Sequence, residues 1–363
     1  MGVNTQDLAK QKYKSERRAY FWRGLGIAIF SGFLYGLYSA FITKGMATGI
    51  WSYWYGDGYE VFASSFVCVY ILGCVGCAVN DTFGAITMII MAAIRGCLGD
   101  VFRCFKTKPG ALMIGVAMIG GPIANTAYVI GLTLAGPICA AITSLCAACG
   151  AIIGRIFLKQ ELNFRMACGI IICFAAGVVL SGTTFDVENL SAFIGMLIAF
   201  IAAVGWGLEG ALGGYGVCMM DSQIGITIRE ITSSLGNIII VLFILALIGK
   251  AFGGQGLGEA YGILGQAFFD SSWIWFLLSG FCCATSFMCW YWGNSMCGAA
   301  LGMTCNAMYS FWVPLCCWIL MGVIFGEAGW MLRPIQWLMA VVIVFGIWLI
   351  AMNPLDIFKK EED

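Results

Sequence analysis

Residues 155–182 read RIFLKQELNFRMACGIIICFAAGVVLSG, a short charged hinge between two apolar runs. Arg155, Lys159, Glu161 and Arg165 crowd together in a chain that is 61% hydrophobic and only 10% charged. A related arrangement returns at 322–354, GVIFGEAGWMLRPIQWLMAVVIVFGIWLIAMNP. There an apolar run ends in Glu327, a link carries Arg333 and Pro334, and a second apolar run follows.

A soluble domain covers its surface with about 25% charged residues. This chain has well under half of that, a mean hydropathy of +0.91 and no histidine, which places it among integral membrane proteins. Its formal net charge of zero argues against a nucleic-acid partner. The 18 cysteines sit mostly inside apolar runs, where a thiol packs as a small hydrophobe. Cys74/Cys77 and Cys146/Cys149 have C-x-x-C spacing but no histidine to support a metal site, so packing is the expected role. So many free thiols suit a reducing environment and no disulfide framework.

Windows long enough to cross about 30 Å of hydrocarbon recur along the chain. They predict ten spans: about 24–44, 78–98, 110–133, 136–158, 165–182, 193–213, 226–249, 272–293, 298–323 and 334–352. The segments are far too long for the strands of a barrel, so they are helices. The polar, basic segment 1–23 lacks the features of a signal peptide and is expected to be a cytoplasmic tail. With that end inside, all of the 19 Lys and Arg residues except Lys44, Lys250 and Arg333 fall on the cytoplasmic side. This is a positive-inside pattern, with 353–363 as a second cytoplasmic tail and the plasma membrane as the expected location. Residues 61–79 (VFASSFVCVYILGCVGCAV) resist the count, because an eleventh crossing would turn the basic link after the second span outward. They are read as an outer extension of that span or a helix packed on its outer face, with a break at Asn80–Asp81.

The two hinges are corresponding points of a repeat. In the first half a Gly-punctuated helix runs through Gly169 and Gly177 after Glu161; in the second a helix passes Gly346 after Glu327. Earlier, SGFLYGLYSAF (31–41) matches AVGWGLEGALG (203–213), setting Tyr35–Gly36 against Trp206–Gly207. The halves are 24–182 and 193–352, joined by a linker at 183–192. Five spans is an odd number, so the halves insert with opposite topology, an inverted repeat of the kind transporters use around a midplane site.

At these residues the chain resembles the drug/metabolite transporter superfamily, in its ten-helix, EamA-like branch of two five-helix repeats. The carrying motifs are an aromatic-Gly pair opening each repeat, a glutamate ending the fourth helix, a Gly-rich fifth helix, and Pro314 in the ninth. Departures are the insertion near 45–79 and Ala148 at the place where Pro314 would predict proline. The resemblance implies an all-α bundle that moves a small organic solute without ATP. It also implies a central cavity lined by helices 1, 3, 4, 6, 8 and 9.

An ionisable group within a span is costly unless it faces a cavity or a partner. Glu209 is the leading candidate, one turn after Trp206 on the same face, with Tyr38 at the matching place in the first repeat. Arg229 and Glu230, near the cytoplasmic end of the seventh helix, are expected as a structural ion pair or as snorkelling side chains ahead of a substrate contact, and Glu161 and Glu327 as supports of the fold. Asn80 and Asp81 either line an outer vestibule or cap a helix. Glu60 follows the aromatic run WSYWYGDGYE, which is read as an interfacial belt. Asn125, Thr126, Tyr128, Thr143, Ser144, Asn294, Asn306, Tyr309 and Ser310 either line the cavity or bond helix to helix. Trp206, Trp290, Tyr291, Trp292, Tyr309 and Trp312 offer rings that, with one carboxylate, would suit an ammonium or quaternary amine. Tyr35, in the aromatic-Gly pair, joins this candidate set.

The expected function is a secondary transporter of a small organic molecule, with a small amine or quaternary ammonium cation first. Amino acids, sugars and drugs follow. A membrane enzyme or sensor is the remote alternative: the chain lacks histidine, a paired midplane acid set and a soluble output domain. No cofactor is expected. The expected partners are the substrate, the lipid bilayer and, as candidates, a coupling proton or sodium ion and a second copy of the chain. Glu209 is the candidate carrier of a coupling proton, since burial penalises a charged carboxylate, and facilitated diffusion without coupling is equally open.

Overall fold

The computed structural model describes residues 5–56, 62, 64–157, 163–184, 190–217, 219–297 and 299–351. Glu60, Lys159 and Glu161 lie outside the described residues. Among the described residues the regular structure is helical, with no strand. Lipid dictates this, because every backbone N–H and C=O must find its partner inside its own segment.

The helices are α1 (Thr5–Gly45), α2 (Ile50–Gly56), α3 (Val67–Ile94), α4 (Leu98–Cys104), α5 (108–135), α6 (Cys139–Thr143), α7 (Cys146–Phe157) and α8 (Phe164–Thr184). They continue with α9 (Leu190–Val217), α10 (Ser222–Ala251), α11 (Leu257–Phe269), α12 (Trp273–Cys297), α13 (Ala299–Asn306), α14 (Tyr309–Ile324) and α15 (Pro334–Ala351). Local chemistry sets several of these ends. Thr107 caps α5 by accepting from the Gly110 N–H at 3.2 Å, with Pro109 in the first turn where a missing N–H does no harm. Asp221 caps α10 through the Gln223 N–H at 2.8 Å. Gly136, at φ +66°, ends α5 in a conformation few other residues adopt.

Among the described residues six stretches are long and apolar enough to cross a membrane: Ser15–Gly45, Val67–Ile94, Lys108–Thr143, Leu190–Gly213, Ser222–Ala251 and Trp273–Met296. Four shorter apolar helices accompany them, within 146–156, 164–177, 309–324 and 334–350. One expectation needs correction. Residues 67–94 form one unbroken helix, so Asn80–Asp81 mark no break; their polar groups are met by side chains of neighbouring helices. Residues 5–23 of the expected tail are helical and continuous with the rest of α1. In the aromatic run after it, Trp51 and Trp54 are buried while Tyr53 faces outward, so only part of that run resembles an interfacial belt.

The bundle is inverted relative to a water-soluble protein. Ile239, Ile240, Phe243, Ile244, Leu247 and Ile248 of α10 are exposed, while Asp81, Glu209, Arg229 and Glu230 are completely buried. Helix α1 packs along α12 and against α13 and α14; α9 packs along α5 and against α6 and α7. Helix α3 packs on α10 and α12, α10 on α3 and α5, and α8 on α15. Glycines permit the tightest of these approaches. A Cβ at Gly36 would stand 2.9 Å from the Trp312 backbone of α14, and one at Gly207 would stand 2.8 Å from the Gly150 nitrogen of α7. Gly169 and Gly346 face one another across α8 and α15, each 3.0 Å or less from the other's carbonyl oxygen by the same construction.

Candidate functional site

Helix α5 prepares the centre. Pro122 has no N–H to give, and residues Ile119–Asn125 widen into a π-helical turn whose Gly120 carbonyl faces inward. That carbonyl accepts from Trp206 Nε1 at 2.9 Å and from Arg229 Nη2 at 3.5 Å. Asn125 Oδ1, at the end of the same turn, accepts from Trp206 Nε1 at 3.2 Å and Arg229 Nη2 at 3.4 Å.

Arg229 is the hub. Its Nε donates to Glu209 Oε1 at 3.0 Å and its Nη1 to Glu230 Oε1 at 2.9 Å, with all three side chains at zero exposure. Tyr291 OH donates to the same Glu209 oxygen at 3.0 Å. The guanidinium carbon lies 3.7 Å from the centroid of Phe287, a cation–π geometry shielded from water.

A second carboxylate stands beside this group. Asp81 accepts from Ser233 Oγ in a very short contact, from Asn237 Nδ2 at 2.9 Å, from Asn80 Nδ2 at 3.1 Å and from Asn125 Nδ2 at 3.3 Å. Thr126 Oγ1 and Ser279 Oγ complete the network by donating to Asn237 Oδ1 and Asn80 Oδ1.

Aromatic rings form an adjoining layer. Tyr35 stacks on Tyr309 at 4.4 Å and meets Tyr38 at 5.0 Å, Tyr128 at 5.5 Å and Trp206 at 5.8 Å. Tyr128 OH pairs with Ser39 Oγ at 2.6 Å, and Tyr309 OH lies 3.9 Å from Cys146 Sγ. The hydroxyls of Tyr35 and Tyr38, Ser310 Oγ, Trp312 Nε1, Glu209 Oε2 and Glu230 Oε2 are buried with no hydrogen-bonding partner among the described residues. Native interiors leave few polar atoms in that condition.

Of the residues singled out from the sequence, Glu209, Trp206, Tyr35, Tyr38, Asn125, Tyr128 and Tyr309 gather in this centre. Ser310 is buried at the start of α14. Ser144 closes α6 by donating to its own Ala141 carbonyl at 2.7 Å, where the chain turns before α7. Asn306 ties α13 to α1 through Ser31 Oγ at 2.8 Å. Trp290 packs on Phe287 and Tyr291, and Asn294 is oriented so that its amide oxygen accepts from Trp290 Nε1 at 3.2 Å.

Two readings change, and the ion pair expected of Arg229 and Glu230 is present, at 2.9 Å and fully buried. Glu209 is not an isolated acid, because Arg229 neutralises it. Trp292 is 39% exposed beside Arg23 and belongs to no central cage. The Asp81 network was the missed part. Its signal was present in the spacing 229, 233 and 237, which sets Arg229, Ser233 and Asn237 on one stripe of α10.

At the far end of α1, Lys44 Nζ meets Glu327 Oε1 at 2.8 Å and lies 3.8 Å from the Phe325 centroid, while Trp330 Nε1 donates to Glu327 Oε2 at 3.2 Å. A cavity of about 490 Å³ opens nearby between 135–138 and 328–336. Among the described residues no group of three or more Cys, Asp and Glu side chains is placed to hold a metal ion.

No family model and no curated protein matches the chain. A solved crystal structure of a protein superposes on it with a TM-score of 0.53, at 16% identity, covering 90% of this chain and 96% of that one. At that identity the likeness speaks for the fold alone.

Proposed function

We propose that the chain is a secondary transporter of the ten-crossing, inverted-repeat kind, carrying a small organic solute through the centre by alternating access. The packing supports the repeat. Exchanging helices 1–5 with 6–10 turns the α1–α12 contact into α9–α5 and the contact of α1 with α13–α14 into α9 with α6–α7. It likewise turns α3–α12 into α10–α5, and leaves α3–α10 and α8–α15 in place. The matched pair Gly36 and Gly207 lies at corresponding contacts, and the fourth and ninth helices are each interrupted, at Ser144–Leu145 and Ala307–Met308. Both tails are assigned to the cytoplasm on the distribution of Lys and Arg.

The observation that carries the reading is a layer of aromatic rings set directly against a buried carboxylate group in the middle of an apolar bundle. Several polar atoms of these residues, the Tyr35 and Tyr38 hydroxyls and Glu209 Oε2 among them, lack a partner among the described residues. Rings beside carboxylates favour a small amine or quaternary ammonium cation. Arg229, which meets each glutamate through a single hydrogen bond, favours a second reading, a zwitterionic amino acid whose carboxylate would exchange with Glu209.

The test is a ligand screen on detergent-purified protein with amines, amino acids and sugars, followed by uptake into proteoliposomes. A ligand that binds only the folded state raises its unfolding temperature. Stabilisation by amines with uptake of the same compound is the expected result. Stabilisation by sugars alone would remove the electrostatic basis of the reading. Topology is checked separately with an impermeant thiol reagent on a Cys-depleted background, where a cysteine at position 106 should resist labelling in intact cells.

A further inference from the structure

Four ionisable side chains, Asp81, Glu209, Arg229 and Glu230, share one core with no exposure to solvent. Three acids and one base would together carry two uncompensated negative charges. Removing an unpaired charge from water is so unfavourable that such a group neutralises instead. At least one proton is therefore held here, and the number of donors each acid receives ranks the three candidates for the first of them.

Asp81 is met on both carboxylate oxygens by donors from four neighbouring side chains, which is the environment of an anion. Glu209 receives two donors on Oε1, one from Arg229 and one from Tyr291, and its Oε2, set against the bare face of Gly120, has none. Glu230 receives only the Arg229 Nη1 bond, and its Oε2 has no donor. That oxygen fills the space left by the missing side chain of Gly84: a Cβ there would stand 2.8 Å from it and 3.4 Å from the Gly280 carbonyl oxygen. The charged neighbours are Arg229 beside it on α10, Asp81 from α3 and Glu209 from α9, with Cys77, Cys283 and Tyr291 as the neutral titratable groups around the core.

We propose that Glu230 is a buried proton-binding site, the acid of this core that takes the first proton, on Oε2, ahead of Glu209 and Asp81. The site is defined by the excess of acids over Arg229 and by the single donor that Glu230 receives, and it stands whether or not the chain transports a solute. If it does, Glu230 rather than Glu209 is the group that exchanges a proton as the bundle opens.

The experiment is infrared spectroscopy of the full-length protein in lipid, with carboxyl-labelled glutamate to separate Glu from Asp. The wild type should show the carbonyl stretch of a protonated, buried glutamic acid at neutral pH that disappears on alkaline titration. Glu230→Gln should abolish that band and Glu209→Gln should keep it. A band that survives Glu230→Gln, or is absent from the wild type, overturns the proposal. Asp81→Asn provides a reading that keeps Glu230 itself: removing the facing charge should move the titration midpoint of the band down by about one to two pH units. An unmoved midpoint in that variant also overturns it.

Discussion

Arg229 Nε lies 3.0 Å from Glu209 Oε1, and neither side chain has any exposure to solvent. The two residues sit on consecutive helices, and α5 supplies the carbonyl and amide oxygens that accept from Arg229 Nη2. A pair in this setting answers to geometry as much as to charge, because either group left alone would be a buried ion.

Arg229→Met should therefore lower stability by about 3–5 kcal/mol, the usual penalty for leaving a buried acid unpaired. Lys44→Met, at the partly exposed Lys44–Glu327 pair, should cost less than about 1 kcal/mol. Thermal unfolding of both variants in one detergent compares them directly. Equal losses would mean that the central pair is not the stronger constraint.

Gly36→Ala and Gly207→Ala should each cost about 1–3 kcal/mol, because the added methyl meets backbone atoms of α14 or α7 that cannot swing away. Gly26→Ala and Gly262→Ala are the controls: no atom lies within 4 Å of the added carbon, and both should fold as well as the wild type. Unfolding temperatures of the four variants check the contrast. A neutral Gly207→Ala would argue against the close approach of α9 and α7.

Asp270 joins two helix starts outside the long spans, accepting from the Ile50 N–H at 3.0 Å and the Ser272 N–H at 2.8 Å. Partial burial pushes its carboxyl up, but the backbone N–H groups of Ser272 and Ile50 that it accepts from outweigh this and hold the carboxyl below its ordinary value. The folded value is the lower one, so its stabilisation is complete above the unfolded value of about 3.9 and disappears as pH falls through the folded value. Asp270→Asn should then melt earlier than the wild type at neutral pH, and the gap should narrow in acid. A gap that is constant with pH would show that charge is not what holds this turn.

On the transport reading, Trp206→Ala should weaken binding of a quaternary ammonium ligand by about tenfold, and of neutral ligands less, since a ring face attracts only the cation. Ligand-induced shifts in unfolding temperature report both. Equal losses would make Trp206 a packing residue that holds Tyr35 and Tyr128 in place.

The helical class and the positions of the apolar segments were legible in the sequence, because twenty apolar residues in succession have one stable form in lipid. Glu209, Trp206 and the tyrosines of α1 were legible for a related reason: a polar or aromatic residue in such a run stands out against its neighbours. Their partners were not. Whether Glu209 is an open carboxylate or half of an ion pair depends on the azimuth of α10 relative to α9, and hydropathy carries no record of rotation about a helix axis. The same limit hid the Asp81 group, whose members come from α3, α5, α10 and α12, and it made Asn80–Asp81 resemble a break. Composition decided that these helices belong in a membrane; only their packing decided which buried charges meet, since a charge in a low-dielectric core acts over the few ångströms that tertiary contact determines.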